Sequence, residues 1–286
     1  MPPRKPSPVG AHVPVAGGLT KGLAYAAEVG AEAVQVFVSN PRGWALSAGD
    51  PAQDAAFREQ TQRTGLPVFV HASYLANFGS PTEATLDRSV ATVAHALARA
   101  GAIGARGVVL HAGSAVLGSR REDALAQLRS HLLPVLQAAD PAGPRLLIEP
   151  TAGGGQALAA TVADLGPWFD QLDAHPLLGV CLDTCHAFAA GHDLAAPGGM
   201  KQVLDALVRT VGRERLGLVH ANDSKDPLGS TRDRHAGIGL GSIGVDPFAE
   251  LFRHPATREV PVVVETPGDA AAQRADIALL MSLRDR

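Results

Sequence analysis

The chain has 286 residues, a formal charge of −3, 46% hydrophobic residues and only 4% aromatic residues. This composition excludes a disordered chain, and no run of eighteen uncharged apolar residues is present to form a membrane-spanning helix. The length lies within the range of α/β barrels, so we expect residues 1–286 to form a single domain. We also expect a cytoplasmic protein without a membrane partner.

Eight short apolar runs alternate along the chain with longer segments of helical periodicity. The runs are Val9 to His12, Ala33 to Phe37, Pro67 to His71, Gly107 to His111, Arg145 to Glu149, Leu178 to Asp183, Leu216 to Asn222 and Pro261 to Glu265. This alternation predicts an α/β fold, a (β/α)₈ TIM barrel. An open doubly wound sheet is the alternative. It would usually carry a Gly-rich phosphate loop after its first strand, and Ala16-Gly17-Gly18 is a weak match to one.

Three local predictions accompany the barrel. A helix is expected from Thr82 to Ala102, where apolar residues recur at steps of three and four. The segment from Ala221 to Asp246 is predicted to be a long polar loop, and such loops in compact domains are usually functional. Cys181 and Cys185 are predicted to be small buried residues rather than a disulfide pair.

Besides the first run, which ends in His12, six of the eight runs end in, or within a residue or two of, a His, Asp or Glu. These residues are His71, His111, Glu149, Asp183, His220 and Glu265. The carboxyl ends of barrel strands converge on one mouth, which is where barrel enzymes place their catalytic groups. One such His alone is more often a hydrogen-bonded structural residue. Six together favour a metal site at this mouth, because imidazole and carboxylate are the ligands expected for catalytic Zn²⁺ or Mn²⁺.

Two further clusters extend the candidate site. His186 follows the strand-end Asp183 by three residues, which places both on one side if a helical turn begins there. Asp233 and His235 alternate with Arg234, so both can point the same way from an extended loop. His186, Asp233 and His235 would then form a further set of three ligands. A solvated basic loop around Arg234 is the alternative interpretation.

Several motifs resemble one known family over nearly the whole chain. They are GAHVPVAGGL at 10–19, FVSNPRGW at 37–44, HASYLANFGSP at 71–81, HAGS at 111–114, IEPTAGGG at 148–155, GVCLDTCHAFAAGHDL at 179–194, HANDSKDPLGSTRDRHAGIGLGSIG at 220–244 and VVVETP at 262–267. This pattern is similar to endonuclease IV, the zinc-dependent apurinic/apyrimidinic endonucleases (AP endonuclease family 2).

The resemblance implies a cluster of three Zn²⁺ ions, with Mn²⁺ possible at one or more positions. The first ion would be held by His71, His111 and Glu149, the second by Glu149, Asp183, His220 and Glu265, and the third by His186, Asp233 and His235. The implied reaction is hydrolysis of the phosphodiester 5′ to an abasic site, leaving a 3′-hydroxyl and a 5′-deoxyribose phosphate. Glu149 is the candidate that orients the attacking water, and Glu265 is the second catalytic candidate.

The resemblance also implies a partner, double-stranded DNA that contains abasic sites, and a monomeric enzyme in the bacterial cytosol or nucleoid. The negative formal charge is no obstacle, since three Zn²⁺ ions would bring the sum of −3 to about +3. Arg42, Tyr74 and Leu75 match loop residues that family members insert into the base stack. Without the resemblance, Arg42 would be a solubility residue and the other two ordinary rim packing.

Three positions depart from the family pattern. Leu240 stands where Glu is common, Pro150 where a polar residue is usual, and His192 where Tyr is frequent. We expect Leu240 and Pro150 to alter metal affinity or rate rather than reaction type. The alternative function is that of a metal-dependent sugar isomerase or epimerase of the xylose isomerase-like barrel type, which would not need His186, Asp233 and His235.

Overall fold

A computed structural model describes residues 6–116 and 119–286. It confirms the predicted TIM barrel, because eight parallel strands pair in chain order and the first strand also pairs with the last. We number these strands β1 to β8. They are β1 Val9–His12, β2 Val34–Phe37, β3 Val68–His71, β4 Gly107–His111, β5 Arg145–Glu149, β6 Leu178–Asp183, β7 Leu216–His220 and β8 Val262–Val264.

Every predicted run contains a strand, and the differences lie at the ends. Pro67 and Pro261 fall outside β3 and β8, since proline has no N–H to donate to a neighbouring strand. Glu265 lies one residue beyond β8. Its N–H donates to the side-chain oxygen of Asn222 at 2.8 Å instead of to the barrel ladder, so these two residues begin the mouth of the barrel.

Helices follow the strands and cover the outside of the barrel. They are α1 Leu19–Val29, α2 Pro51–Thr64, α3 Glu83–Ala102, α4 Arg121–His131, α5 Leu133–Ala138, α6 Leu165–Asp170, α7 Thr184–Ala189, α8 Gly199–Val211, α9 Asp246–Arg253 and α10 Ala270–Arg284. The helix expected from Thr82 to Ala102 is α3, with Thr82 as its N-cap. Its buried face carries Leu86, Val93 and Leu97, as the spacing predicts.

The barrel interior is filled by one apolar layer. Strands β3 to β8 and the residue directly before β2 each contribute one buried side chain to it: Ala33, Phe69, Val109, Leu147, Cys181, Leu218 and Val263. Leu147 is accommodated by glycines on the neighbouring strands, since a Cβ at Gly179 would lie 2.6 Å from its side chain. The apolar layer closes the barrel from below and keeps water away from whatever lies above it.

Both cysteines are buried and free, as predicted. Burial raises the pKa of each thiol to about 12, so neither is a thiolate at neutral pH. Among the residues that the structure describes, no helix is long and apolar enough to cross a membrane.

The predicted loop from Ala221 to Asp246 has more internal structure than its composition indicates. Asp223–Ser224 pairs antiparallel with His235–Ala236, which folds the segment back over the mouth of the barrel. Ser114–Ala115 and Gln156–Ala157 form a similar short ladder between the loops after β4 and β5. Two-residue ladders are too short to show a strand period in sequence, so the loop prediction missed them.

Candidate metal centre

A ring of polar side chains lies directly above the apolar layer. Successive side chains of a strand alternate between its two faces, so the residue two positions after each inward apolar residue also points inward. Those residues are Gln35, His71, His111, Glu149, Asp183, His220 and Glu265, and β1 contributes His12. The six strand-end residues predicted as ligands therefore share one layer, with His12 and Gln35 completing it.

Glu149 lies at the centre of this ring and is fully buried. Its Oε2 atom is 3.4 Å from Nε2 of His71 and 3.4 Å from Nε2 of His111. Its Oε1 atom is 3.0 Å from Nδ1 of His220 and 3.3 Å from Nδ1 of His186. One carboxylate thus faces two groups of imidazoles, which is the arrangement that a bridging ligand needs.

The second group surrounds His220, which is also fully buried. Its Nδ1 atom lies 3.3 Å from Oε2 of Glu265 and 3.8 Å from Oδ2 of Asp183. Together with Glu149, these side chains bring candidate ligand atoms within 4.8 Å of one another. The structure therefore gathers all four residues predicted for the second ion.

The third group depends on a helix start and on the loop after β7. Helix α7 begins directly after Asp183, whose side chain caps it by accepting from the N–H of His186 at 2.8 Å. This turn directs His186 to the mouth, as the spacing predicts. Asp233 lies between two imidazoles, with Oδ2 3.2 Å from Nε2 of His186 and Oδ1 3.0 Å from Nε2 of His235.

The pKa values of several side chains in the cluster are strongly shifted. Burial by itself would raise the pKa of Glu149, but His220 and His111 hold it well below its usual range. Burial likewise opposes protonation of His186, yet Asp183 and Asp233 raise its pKa to about 10. In contrast, burial lowers the pKa of His111 to about 4. Without a metal ion, protonated imidazoles such as His186 therefore balance the negative charge of the carboxylates, as a bound cation would do.

The residues fit a metal cluster by a further observation. Within residues 6–116 and 119–286, the buried side-chain atoms without a hydrogen-bond partner of good geometry include Oε2 of Glu149, Nε2 of His186 and Nε2 of His235. Buried polar atoms are rarely left unsatisfied, because each such atom costs about 1–3 kcal/mol. These three atoms face the cluster, and once the two imidazoles have released their protons all three offer lone pairs suited to Zn²⁺ or Mn²⁺.

A buried carboxylate anchors the loop that carries Asp233 and His235. Asp223 is fully buried and accepts hydrogen bonds from the N–H groups of Ser224, Gly239, Gly241, Ile243 and Gly244, at 2.7 to 3.2 Å. A Cβ at Gly241 would lie 2.3 Å from the carbonyl oxygen of Ser224, so the turn requires glycine there. Sequence reasoning did not single out Asp223; the Gly-rich turn that follows Asp233-Arg234-His235 was the available signal.

The three residues predicted to contact DNA lie on the rim. The Tyr74 ring is 5.2 Å from the His71 ring and 5.4 Å from the His111 ring, and its side chain remains 44% exposed. Its N–H donates to the carbonyl of Pro41 at 3.0 Å, which ties the loops after β2 and β3 together. Arg42 is exposed next to this contact, and Leu75 is half-buried.

The three residues that depart from the family pattern lie in different surroundings. Pro150 contacts the site through its carbonyl oxygen, which lies 3.1 Å from Nδ1 of His186 and which any residue would supply. His192 accepts at Nε2 from the N–H of Val162 at 3.1 Å, away from the cluster. Leu240 is 84% exposed at the tip of the Gly-rich turn.

The fold and the mouth define a class, that of α/β barrels with a His and carboxylate cluster at the C-terminal ends of the strands. A family model described as "Xylose isomerase-like TIM barrel" matches residues 23–283. The chain is 59% identical over 281 residues to a "Probable endonuclease 4" of Streptomyces coelicolor, covering 98% of this chain and 96% of that protein. The chain belongs to the endonuclease IV family.

Solved structures agree with this assignment. The crystal structure of endonuclease IV from Thermus thermophilus superposes with a TM-score of 0.86 at 36% identity, and the match covers 99% of each chain. A D-tagatose 3-epimerase-like protein superposes with a TM-score of 0.71 at 19% identity, which reflects the shared barrel alone. The predicted family, fold and hydrolase class are therefore confirmed, and the sugar isomerase alternative is not favoured.

Proposed function

We propose that this chain is a DNA-repair endonuclease that hydrolyses the phosphodiester 5′ to abasic sites in double-stranded DNA, leaving a 3′-hydroxyl and a 5′-deoxyribose phosphate. The observation that carries the proposal is the meeting of nine imidazole and carboxylate side chains, Glu149 among them, at one barrel mouth. We further propose that residues 1–286 act as one monomeric barrel unit.

Three divalent cations, zinc with manganese as a possible substitute, would occupy this cluster. His71, His111 and Glu149 would hold the first, Glu149, Asp183, His220 and Glu265 the second, and His186, Asp233 and His235 the third. Bound divalent cations neutralise phosphate charge and lower the pKa of water toward ~7. Neutral imidazoles and carboxylates without thiolate are suited to this catalytic role rather than to a closed structural zinc site.

The protein's own residues position the reactants. Glu149, buried and facing both groups of imidazoles, is the residue we assign to orienting the attacking water, and Glu265 is the second candidate. No side-chain nucleophile is required. The two cysteines are poorly suited to that role, since burial raises their thiol pKa to about 12.

Substrate selection would take place at the rim. Arg42, Tyr74 and Leu75 lie on loops joined through Pro41, and Tyr74 covers His71 and His111 while remaining partly exposed. Side chains in these positions can enter a base stack and bend the duplex. A nucleotide that has lost its base is the least costly to displace, which gives selectivity for abasic sites.

The test replaces one carboxylate by its neutral isostere. Wild-type protein should nick a duplex with one abasic analogue on the 5′ side of the lesion and leave the undamaged duplex intact. Glu149→Gln should lose cleavage by several orders of magnitude under single-turnover conditions and still bind the abasic duplex. Glu122→Gln is the control, because Glu122 is 80% exposed, pairs with Arg120, and lies in the first turn of α4 rather than at the cluster.

Two results would overturn the proposal. The first is a Glu149→Gln variant that cleaves within tenfold of wild type. The second is wild-type protein that leaves abasic duplex intact but interconverts ketoses, which would restore the isomerase alternative.

A further inference from the structure

Gln35 is a fully buried amide in the ring that holds the candidate ligands. It lies on β2, two positions after Ala33 of the apolar layer, and is paired in register with His12 on β1. A buried amide is stable only if its donor and acceptor are both satisfied. Both are satisfied here by members of the second ligand set. Nε2 of Gln35 lies 2.7 Å from Oε1 of Glu265, and Oε1 of Gln35 lies 2.9 Å from Nε2 of His220.

The neighbours fix which way the amide points. The Gln35 atom that faces Glu265 must be the nitrogen, because two facing acceptor oxygens would repel each other. Nδ1 of His12 lies 2.8 Å from the same Glu265 oxygen and 3.0 Å from Nε2 of Gln35; because a carboxylate oxygen can only accept, both nitrogens donate to Glu265. The Gln35 oxygen is therefore the atom that faces His220, and it requires a donor.

This requirement selects one tautomer of His220. Its Nε2 must carry the proton that the Gln35 oxygen accepts, so in the neutral ring Nδ1 holds the lone pair. That atom lies 3.0 Å from Oε1 of Glu149 and 3.3 Å from Oε2 of Glu265. The same amide restrains Oε1 of Glu265, which leaves Oε2 directed at the cluster.

We propose that Gln35 is a positioning residue for the metal centre, which presents Nδ1 of His220 and Oε2 of Glu265 to a single divalent cation. The inference rests on the proposed function, since it concerns the second ion of the proposed cluster. One side chain on a strand without a ligand thus orients two candidate ligands at the carboxyl ends of two other strands. Removing a side chain that hydrogen-bonds to metal ligands typically weakens metal binding by about 10- to 100-fold.

The first test uses the wild-type protein loaded with zinc and requires no variant. A long-range ¹H–¹⁵N correlation spectrum of the histidine rings should show His220 with its proton on Nε2 and zinc on Nδ1. A proton on Nδ1 of His220 would overturn the proposal, because the Gln35 oxygen would then have no donor.

The second test measures zinc affinity by competition with a chromogenic chelator. Gln35→Met keeps the length of the side chain and removes both polar groups, so one of the bound ions should be held about 10- to 100-fold more weakly. Gln127→Met is the matched control, since the Gln127 side chain also makes two hydrogen bonds, both donated, to the carbonyls of Phe78 and Ser80, but lies outside the cluster. Unchanged affinity in Gln35→Met would contradict the inference.

Failure of the inference and failure of the proposed function give different results. If wild-type protein binds no zinc, the metal-dependent nuclease itself is wrong. If wild type binds zinc and nicks abasic duplex while Gln35→Met retains every ion at wild-type affinity, only the role of Gln35 is wrong.

Discussion

The candidate metal centre is built from two regions that are held in place in different ways. Glu149 and His220 come from barrel strands and are fully buried above the apolar layer. Asp233 and His235 come from the loop after β7, where the Asp233 side chain is 50% exposed and that of His235 is 16% exposed. The barrel itself fixes the strand-borne ligands, whereas the loop-borne ligands depend on the buried carboxylate of Asp223. The two halves should therefore differ in how tightly they retain metal.

Metal removal should have the largest effect on activity, and the two halves should lose their ions at different rates. During treatment with a chelator, the ion held by His186, Asp233 and His235 should leave first, because its site is the most exposed. Cleavage of abasic duplex should be lost with this first ion and restored by added zinc. A chromogenic chelator measures zinc release over time, and cleavage activity is assayed in samples from the same time course to check this order. Release of all ions at one rate would show that the two regions are equivalent.

Asp223→Asn should damage the loop-borne half alone. Replacing one carboxylate oxygen by an NH₂ group leaves two or more of the five backbone N–H groups without an acceptor, at about 1–3 kcal/mol each. We expect a free energy of unfolding lowered by roughly 3 kcal/mol and the loss of about one zinc per chain. Denaturant unfolding and elemental analysis measure the two effects.

The control for this variant is Asp173→Asn, which breaks an exposed pair with Arg129. It should change stability by less than about 1 kcal/mol and leave the zinc content unaltered. If Asp223→Asn retains all of its zinc at wild-type stability, the loop does not depend on this carboxylate.

The pH dependence of zinc binding provides a smaller, graded effect. The metal-free pKa of His186 is raised to about 10 and that of His235 to about 9, so both are protonated at pH 7 and must release a proton to bind metal. Apparent zinc affinity should therefore continue to rise with pH through 7 to 9, whereas ordinary histidines would level off above about 6.5. Calorimetry in buffers of different ionisation heat measures the released protons. A plateau above pH 7 with no proton release would contradict the shifted values.

Leu240→Glu should have the smallest effect. The side chain is 84% exposed, so introducing the residue common in the family should change the free energy of unfolding by less than about 0.5 kcal/mol. The zinc content should also stay the same. A loss of bound zinc in this variant would show that the tip of the turn reaches the metal centre.

The barrel could be predicted because every strand carries its own local signal. Apolar runs such as Gly107–His111 and Leu178–Asp183 reappear as strands with the same bounds, and their terminal His and Asp mark the mouth. The start of α7 was also predictable, because Asp183 caps the helix that carries His186. These features depend on residues close together in sequence.

The supporting residues could not be predicted in the same way. Gln35 lies inside an apolar run and acquires its meaning only from Glu265 and His220, which are 230 and 185 residues away along the chain. Asp223 is one of several polar residues in a loop, and its role appears only when the Gly-rich turn folds back onto it. Contacts between residues so far apart in the chain produce no periodic pattern in a single sequence.

The central claim is that the strand-borne and loop-borne halves together hold three metal ions. Anomalous scattering at the zinc edge from crystals of zinc-loaded protein tests it directly. The claim predicts three peaks, one of them between His186, Asp233 and His235. One or two peaks confined to the strand-borne residues, with none at this third position, would contradict it.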